Sequence, residues 1–237
     1  MNLISLQLKT SPNFVKNLSR LIKQIETAPK DSLILAPELF LTGYAYDRLE
    51  EASQMTLKAI KVLKFLSHDK IMSITMTTKK ENKFYNTSYT FYNGKIVHTQ
   101  SKAELFVLDD ERKYFTSGDR KDIKIFKVNG IKIAILICFE LRFIDLIKKI
   151  QGADIILVPA MWGKARKENY ETLTQATAVL NQCYIVASNS ANDNMAKSSA
   201  IITPFGKVTK NDNKKVITSI YDDKEIKKMR KYLNTRI

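Results

Sequence analysis

Hydrophobic and polar positions along this chain switch repeatedly between a strand-like and a helix-like period. Residues 2–8 alternate as a strand. Ser11-Pro12 then opens a helix that puts Phe14, Leu18, Leu21, Ile22 and Ile25 on one face. Residues 50–67 read as a second helix and 71–76 as a strand. Two Asn-Gly pairs supply hairpin turns. Asn93-Gly94 joins a strand at 84–92 to one leading to Lys102, and Asn129-Gly130 joins 123–128 to the run at 131–137. That run is apolar except for Lys132 and suits a strand covered on both faces. Helices near 142–150 and 166–181 bracket a strand at 154–159, and strands at 183–188, 199–203 and 216–220 complete the set. Alternation of this kind, with hairpins among the crossovers, predicts two mixed sheets with helices outside them.

Three strand ends carry reactive side chains, and each alone has an ordinary reading. Cys138 follows the apolar run and opens into Phe139-Glu140-Leu141-Arg142-Phe143, a strand-to-helix pivot. A lone cysteine there is commonly a buried core residue. At a helix start, however, unpaired N–H groups favour the thiolate. Glu38 follows Leu33-Ile34-Leu35-Ala36-Pro37, where a proline stops the ladder; by itself it reads as a solvated acid. Lys102 closes the strand returning from Asn93-Gly94 and by itself reads as a surface lysine. Sites in open α/β sheets gather beyond the carboxyl ends of strands. A base, a cation and a thiol at three such ends form a coherent acyl-transfer set.

Three segments resemble the signature blocks of the nitrilase (carbon–nitrogen hydrolase) superfamily, in the same order and spacing. They are Ala36-Pro37-Glu38-Leu39-Phe40-Leu41-Thr42-Gly43-Tyr44, Ser101-Lys102-Ala103-Glu104-Leu105-Phe106 and Ile137-Cys138-Phe139-Glu140-Leu141-Arg142-Phe143. Ala153 to Trp162, Ser199 to Gly206 and the tail from Ile220 to Arg230 extend the likeness over nearly the whole chain. The resemblance implies a four-layer α-β-β-α sandwich, habitual homodimers, and cleavage of non-peptide C–N bonds by a Glu-Lys-Cys set. Here that set is Glu38, Lys102 and Cys138. It implies Cys138 as nucleophile, Glu38 as proton carrier, and Lys102 with the Phe139 N–H as oxyanion donors. A cationic Lys102 also lowers the thiol pKa.

Glu111 stands where many relatives carry a second carboxylate that orients the lysine or the substrate; a solvated loop acid is the alternative, given its neighbours Asp109, Asp110, Arg112 and Lys113. Tyr44, Phe139, Met161 and Trp162 flank the catalytic strand ends and are expected to line the substrate pocket. For Arg142, substrate binding and an internal ion pair with Glu140 or Asp145 stay equally open. Two departures from the family pattern stand out. Thr177-Ala178 replaces a customary Arg-Ala pair, and the 190–198 loop contains no glycine. Length and the Cys138 block look closest to small-acid amidases, such as ω-amidases that release ammonia. N-carbamoyl hydrolases and nitrilases remain alternatives, as does an inactive relative acting as a binding partner.

Composition adds bounds. The 237 residues carry 39 Lys+Arg against 24 Asp+Glu, a formal charge of +15. Basic residues are scattered and no basic-aromatic motif occurs, so no nucleic-acid partner is expected, whereas a carboxylate-bearing substrate suits the charge. No apolar run approaches membrane-spanning length. Seven glycines, five prolines and no linker predict a single domain over 1–237. Two cysteines without a leader-like start predict a reducing, cytoplasmic setting. His68 and His98 lie outside every motif, so neither a metal nor another cofactor is expected, and a Cys138–His98 pairing is disfavoured.

Overall fold

The computed structural model describes residues 1–235. In chain order the first half holds β1 (Asn2–Leu6), α1 (Phe14–Thr27), β2 (Ser32–Leu35), α2 (Leu49–Leu66), β3 (Lys70–Lys80), β4 (Lys83–Tyr92) and β5 (Lys95–Ser101). The second half holds α3 (Glu111–Tyr114), β6 (Phe126–Val128), β7 (Ile131–Ile135), α4 (Ile144–Lys149), β8 (Ile155–Ala160), α5 (Lys167–Asn181), β9 (Tyr184–Asn189), β10 (Ala200–Ile202), β11 (Val208–Lys210), β12 (Val216–Ile220) and α6 (Asp223–Tyr232). Two six-stranded sheets result, ordered β12-β1-β2-β3-β4-β5 and β11-β10-β9-β8-β7-β6. Each is mixed: β1-β2-β3 and β7-β8-β9 run parallel, and antiparallel hairpins extend both.

Side-chain alternation explains the layering. In β2, Leu33 and Leu35 pack against Ile133, Ile135, Ile155 and Leu157 of the facing sheet. Ile34 points the other way, joining Ile4, Leu6, Met72 and Ile74 against Leu21 and Ile25 of α1 and Ala59 and Leu63 of α2. Leu146 of α4 and Tyr170 and Ala178 of α5 cover the second sheet. This is the four-layer α-β-β-α sandwich expected. Buried hydrogen bonds also tie the sheets together, from Ser5 Oγ to the Ala187 carbonyl at 2.6 Å and from Gln100 Nε2 to the Ile135 carbonyl at 3.2 Å.

Both Asn-Gly turns adopt left-handed backbone at each residue, with φ of 46° and 77° at Asn93-Gly94 and 49° and 81° at Asn129-Gly130. That is the conformation a two-residue hairpin demands. Several boundaries differ from the sequence pattern. The strand expected to run to Ile137 stops at Ile135, and the helix expected from 142 starts as a 3-10 turn over Cys138–Arg142 before α4. Strand β3 continues to Lys80 because it pairs with β4 from Met72 to its end, polar residues included. Strand β11 and the four-residue α3 have no periodic signature; pairing with β10 creates the first.

Candidate active site

Glu38 lies where β2 ends and the chain crosses toward the second sheet. Its N–H donates to the Ala160 carbonyl at the end of β8 at 3.2 Å, which fastens the end of one sheet to the other. The next residue, Leu39, is left-handed (φ 47°) and donates its N–H to Thr75 Oγ1 at 2.8 Å. Lys102 follows β5 immediately; its N–H donates to the Asn86 carbonyl and its carbonyl accepts from the Gly118 N–H, each at 2.8 Å. The 103–118 segment thus returns to its starting point and carries Glu111 back over Lys102.

Cys138 sits at φ 52°, a left-handed elbow between β7 and the 3-10 turn. A non-glycine residue held there is strained, and such strain clusters at functional turns. Glu140 braces the elbow. Its Oε2 accepts from the Ile137 N–H and its Oε1 from the Ala103 N–H, both at 2.7 Å, so one buried carboxylate links the cysteine segment to the lysine segment.

The charged groups converge. Lys102 Nζ donates to Glu38 Oε1 at 2.8 Å, to both Glu111 oxygens at 2.9 Å, and to the Tyr44 hydroxyl at 3.2 Å. All three charged side chains are essentially out of solvent. Glu111 is therefore no solvated loop acid; it also accepts the Phe106 N–H at 2.7 Å and the Tyr44 hydroxyl at 3.2 Å. Asn86 Nδ2 donates to Glu38 Oε1 at 2.8 Å, while the buried Oε2 of Glu38 has no hydrogen-bond partner in the structure. An unpaired buried carboxylate oxygen is costly and calls for a functional account. Glu38 also raises the pKa of the Cys138 thiol, so the two groups interact.

Burial alone would push the Lys102 ammonium down. Glu38, Cys138 and Glu111 outweigh it and hold the lysine well above its usual range, as a cation. Burial raises Glu111, against the pull of Lys102, and the neighbouring Glu38 carboxylate adds to the rise. Burial also pushes the Cys138 thiol well up, and Glu38 adds to that; Lys102 and the Met161 N–H pull the other way. Lys102 thus acts with the sign expected from the sequence. The net result is nevertheless a protonated thiol rather than the thiolate that the elbow position predicts, because desolvation is the larger effect.

A narrow cleft of about 30 Å³ opens onto the thiol, lined by Phe106, Phe139, Met161, Trp162 and two arginines, Arg142 and Arg166. Phe139 packs edge-on against both Phe106 and Phe143 at 5.3 Å. Trp162 is buried, and its backbone N–H donates to Asn189 Oδ1 at 2.8 Å. Arg142 makes neither ion pair considered from the sequence: it lies 4.8 Å over the Trp162 ring and donates to Asn169 Oδ1 at 3.0 Å. Arg166 lies 5.0 Å over Phe106. Tyr44 stands apart from this wall, on the Lys102–Glu111 side. His98 stacks on Phe126 at 3.9 Å and bonds Gln100, a structural role.

Sequence reasoning did not single out Arg166, Phe106, Asn86 or the bracing role of Glu140. Phe106 and Glu140 had a local cue, since both lie inside the signature blocks; Arg166 and Asn86 had none.

Residues 5–231 match the family described as carbon-nitrogen hydrolase. The chain is 33% identical over 194 residues to the 2-oxoglutaramate amidase of Bacillus subtilis, covering 77% of this chain and 74% of that protein. It is 26% identical over 182 residues to the ω-amidase YafV of Yersinia enterocolitica, covering 75% and 69%. Among solved structures, a CN-hydrolase superfamily protein from Xanthomonas campestris shares the fold at a TM-score of 0.88 with 20% identity, covering 99% of this chain and 95% of that one. Nit3 of Saccharomyces cerevisiae does so at 0.87 with 23% identity, covering 100% and 95%. This chain belongs to the carbon–nitrogen hydrolase family.

Proposed function

We propose that the chain acts as one hydrolase unit on small amides that carry a carboxylate, in the manner of an ω-amidase, with Cys138 as nucleophile and ammonia as first product. The carrying observation is that a buried Glu38–Lys102–Glu111 cluster adjoins a strained cysteine elbow whose cleft is flanked by two arginines. The likeness to proteins named 2-oxoglutaramate amidase and ω-amidase supports the same substrate class.

Glu38 takes the thiol proton as Sγ bonds to the amide carbon, and the carbonyl π electrons move to oxygen. The Lys102 ammonium and the Phe139 N–H receive that oxyanion. Collapse expels the nitrogen, which takes the proton from Glu38 and leaves as ammonia. Water then attacks the thioester, Glu38 accepts its proton, and the thiol departs reprotonated. A high thiol pKa suits this sequence: the proton stays on sulfur until a substrate is in place. Arg142 and Arg166 pair with the substrate's distant carboxylate, while Phe139, Met161 and Trp162 enclose its short carbon chain. A cytoplasmic homodimer completes the reading; exposed Val179 and Leu180 on α5, with Phe205 nearby, support pairing.

An ammonia-release screen over 2-oxoglutaramate, other dicarboxylic monoamides, uncharged amides, N-carbamoyl amino acids and nitriles tests this. Dicarboxylic monoamides should rank first, and Cys138→Ala should abolish release with the fold intact. Arg166→Ala should raise KM for charged substrates by about tenfold or more while sparing uncharged ones. Equal turnover of uncharged amides would refute the carboxylate assignment, and turnover by Cys138→Ala would refute the nucleophile.

A further inference from the structure

A second cavity, of about 570 Å³, opens beside α1, the end of β1 and the 211–215 segment, and shares no lining residue with the cleft at Cys138. Half of its twelve lining residues are basic, against 39 of 237 in the chain, so scattered lysines do not account for it. The six are Lys9, Arg20, Lys23, Lys197, Lys214 and Lys215. Lys9 pairs with Asp193 at 2.5 Å, and the lining carboxylate Asp212 is already held by Lys167. The other five cations form no ion pair among the described residues.

The cavity floor is built. Gln7, 2% exposed, donates Nε2 to the carbonyls of Asn211, Asp212 and Lys214 at 3.2, 3.1 and 3.0 Å, and its Oε1 accepts the Ser199 N–H at 2.9 Å. That pins the segment presenting Lys214 and Lys215. On the far wall, Arg20 Nη1 donates to the Lys9 carbonyl at 3.2 Å. Lys197 is fixed from below, since Ser198 donates its N–H to Asp212 Oδ1 at 3.0 Å and its hydroxyl to Glu171 at 2.6 Å. Like charges gathered in a concavity repel one another and focus a positive field, and pre-positioned groups lose little freedom on binding. The volume falls within the range of small-molecule sites.

We propose that this cavity binds a compact polyanion carrying two or more phosphoryl groups. Five unpaired cations match three or more negative charges, and lysines meet phosphate as point charges without a demanding geometry.

Titration calorimetry of the full chain with inorganic tripolyphosphate at physiological ionic strength tests this. One saturable site per chain is expected. Lys214→Glu combined with Lys215→Glu should weaken it by about tenfold or more, with ammonia release unchanged when no anion is present. Lys23→Glu, on the exposed face of α1, should weaken it independently and guards against a folding defect in the double variant. Arg166→Ala should bind tripolyphosphate normally. Absence of saturable binding, or undiminished affinity in both charge-reversed variants, would overturn the proposal. So would loss of binding in Arg166→Ala, which would place the anion at Cys138. An RNA oligonucleotide that occupies the face while tripolyphosphate does not would identify a polymer surface instead.

Discussion

Glu111 grips the ammonium of Lys102 with both of its carboxylate oxygens, each at 2.9 Å, from a segment only nine residues further along the chain. Glu38 meets the same ammonium through one oxygen. On the proposed mechanism the asymmetry divides the labour: Glu111 fixes the lysine, and Glu38 keeps its unpaired Oε2 for proton transfer. Glu111→Gln should therefore lower kcat by about 10²-fold with KM little changed, because the oxyanion donor loses its aim rather than the substrate its binding energy. Steady-state kinetics read both parameters. Glu111→Ala should in addition destabilise the fold by about 1–3 kcal/mol, since it leaves the Phe106 N–H without its acceptor while Glu38 still pairs Lys102. Unchanged kcat in Glu111→Gln would return the residue to a purely structural place.

Glu140 predicts a pH signature of stability. Burial pushes its carboxyl up to about 7, opposed by the N–H groups of Ile137, Ala103 and Glu104. The unfolded chain releases this proton near the ordinary carboxylate value of 4.5. Between those values the folded state holds more protons than the unfolded state, so stability falls as pH rises through that window and levels above it. The loss attributable to this group is on the order of 3 kcal/mol. Chemical denaturation between pH 4.5 and 8 should show the slope, and Glu140→Gln should flatten it, although losing one backbone bond lowers stability throughout. A slope that survives the substitution must come from another group.

The readable and unreadable parts of this chain differ by the range of the forces involved. The strand-end positions of Glu38, Lys102 and Cys138 are legible because local sequence blocks place them, whereas the apolar run Leu33-Ile34-Leu35 of β2 does not say which of its faces meets the second sheet. The Cys138 pKa is not legible either, because desolvation depends on how both sheets close over the thiol. Arg166 and Asn86 reach the site from elements distant in sequence. The 190–198 loop lacks glycine, yet Lys197 and Ser198 both take left-handed backbone, with φ of 58° and 56°. Contacts from Asp212 and Glu171 hold that strained pair, and no local pattern announces them.

The thiol itself gives a third prediction. With burial and Glu38 pushing Cys138 up, alkylation by iodoacetamide should be slow at pH 7 and keep climbing beyond pH 9, near the thiol's ordinary value. Cys183, buried and pushed up to about 12, should stay unlabelled throughout. Mass spectrometry of the labelled peptides separates the two. A Cys138 rate that levels off below pH 8 would mean that Lys102 and the Met161 N–H outweigh desolvation after all.

Gly118 supplies the last test, because it decides whether the 103–118 segment can close over Lys102. A Cβ built there would lie 2.2 Å from the Ser101 carbonyl oxygen and 2.7 Å from its carbon, both backbone atoms that cannot turn aside. The same glycine donates its N–H to the Lys102 carbonyl, so it joins the two ends of the segment that carries Glu111. Gly118→Ala must push the segment outward, and Glu111 then loses its bidentate hold on Nζ. The expected result is a loss of kcat comparable to Glu111→Gln, about 10²-fold, with a lowered melting temperature from the displaced backbone. The double variant Gly118→Ala/Glu111→Gln should be little worse in kcat than either single change, since both remove one contact. Fully multiplicative losses would show that Gly118 acts on catalysis by a route other than Glu111.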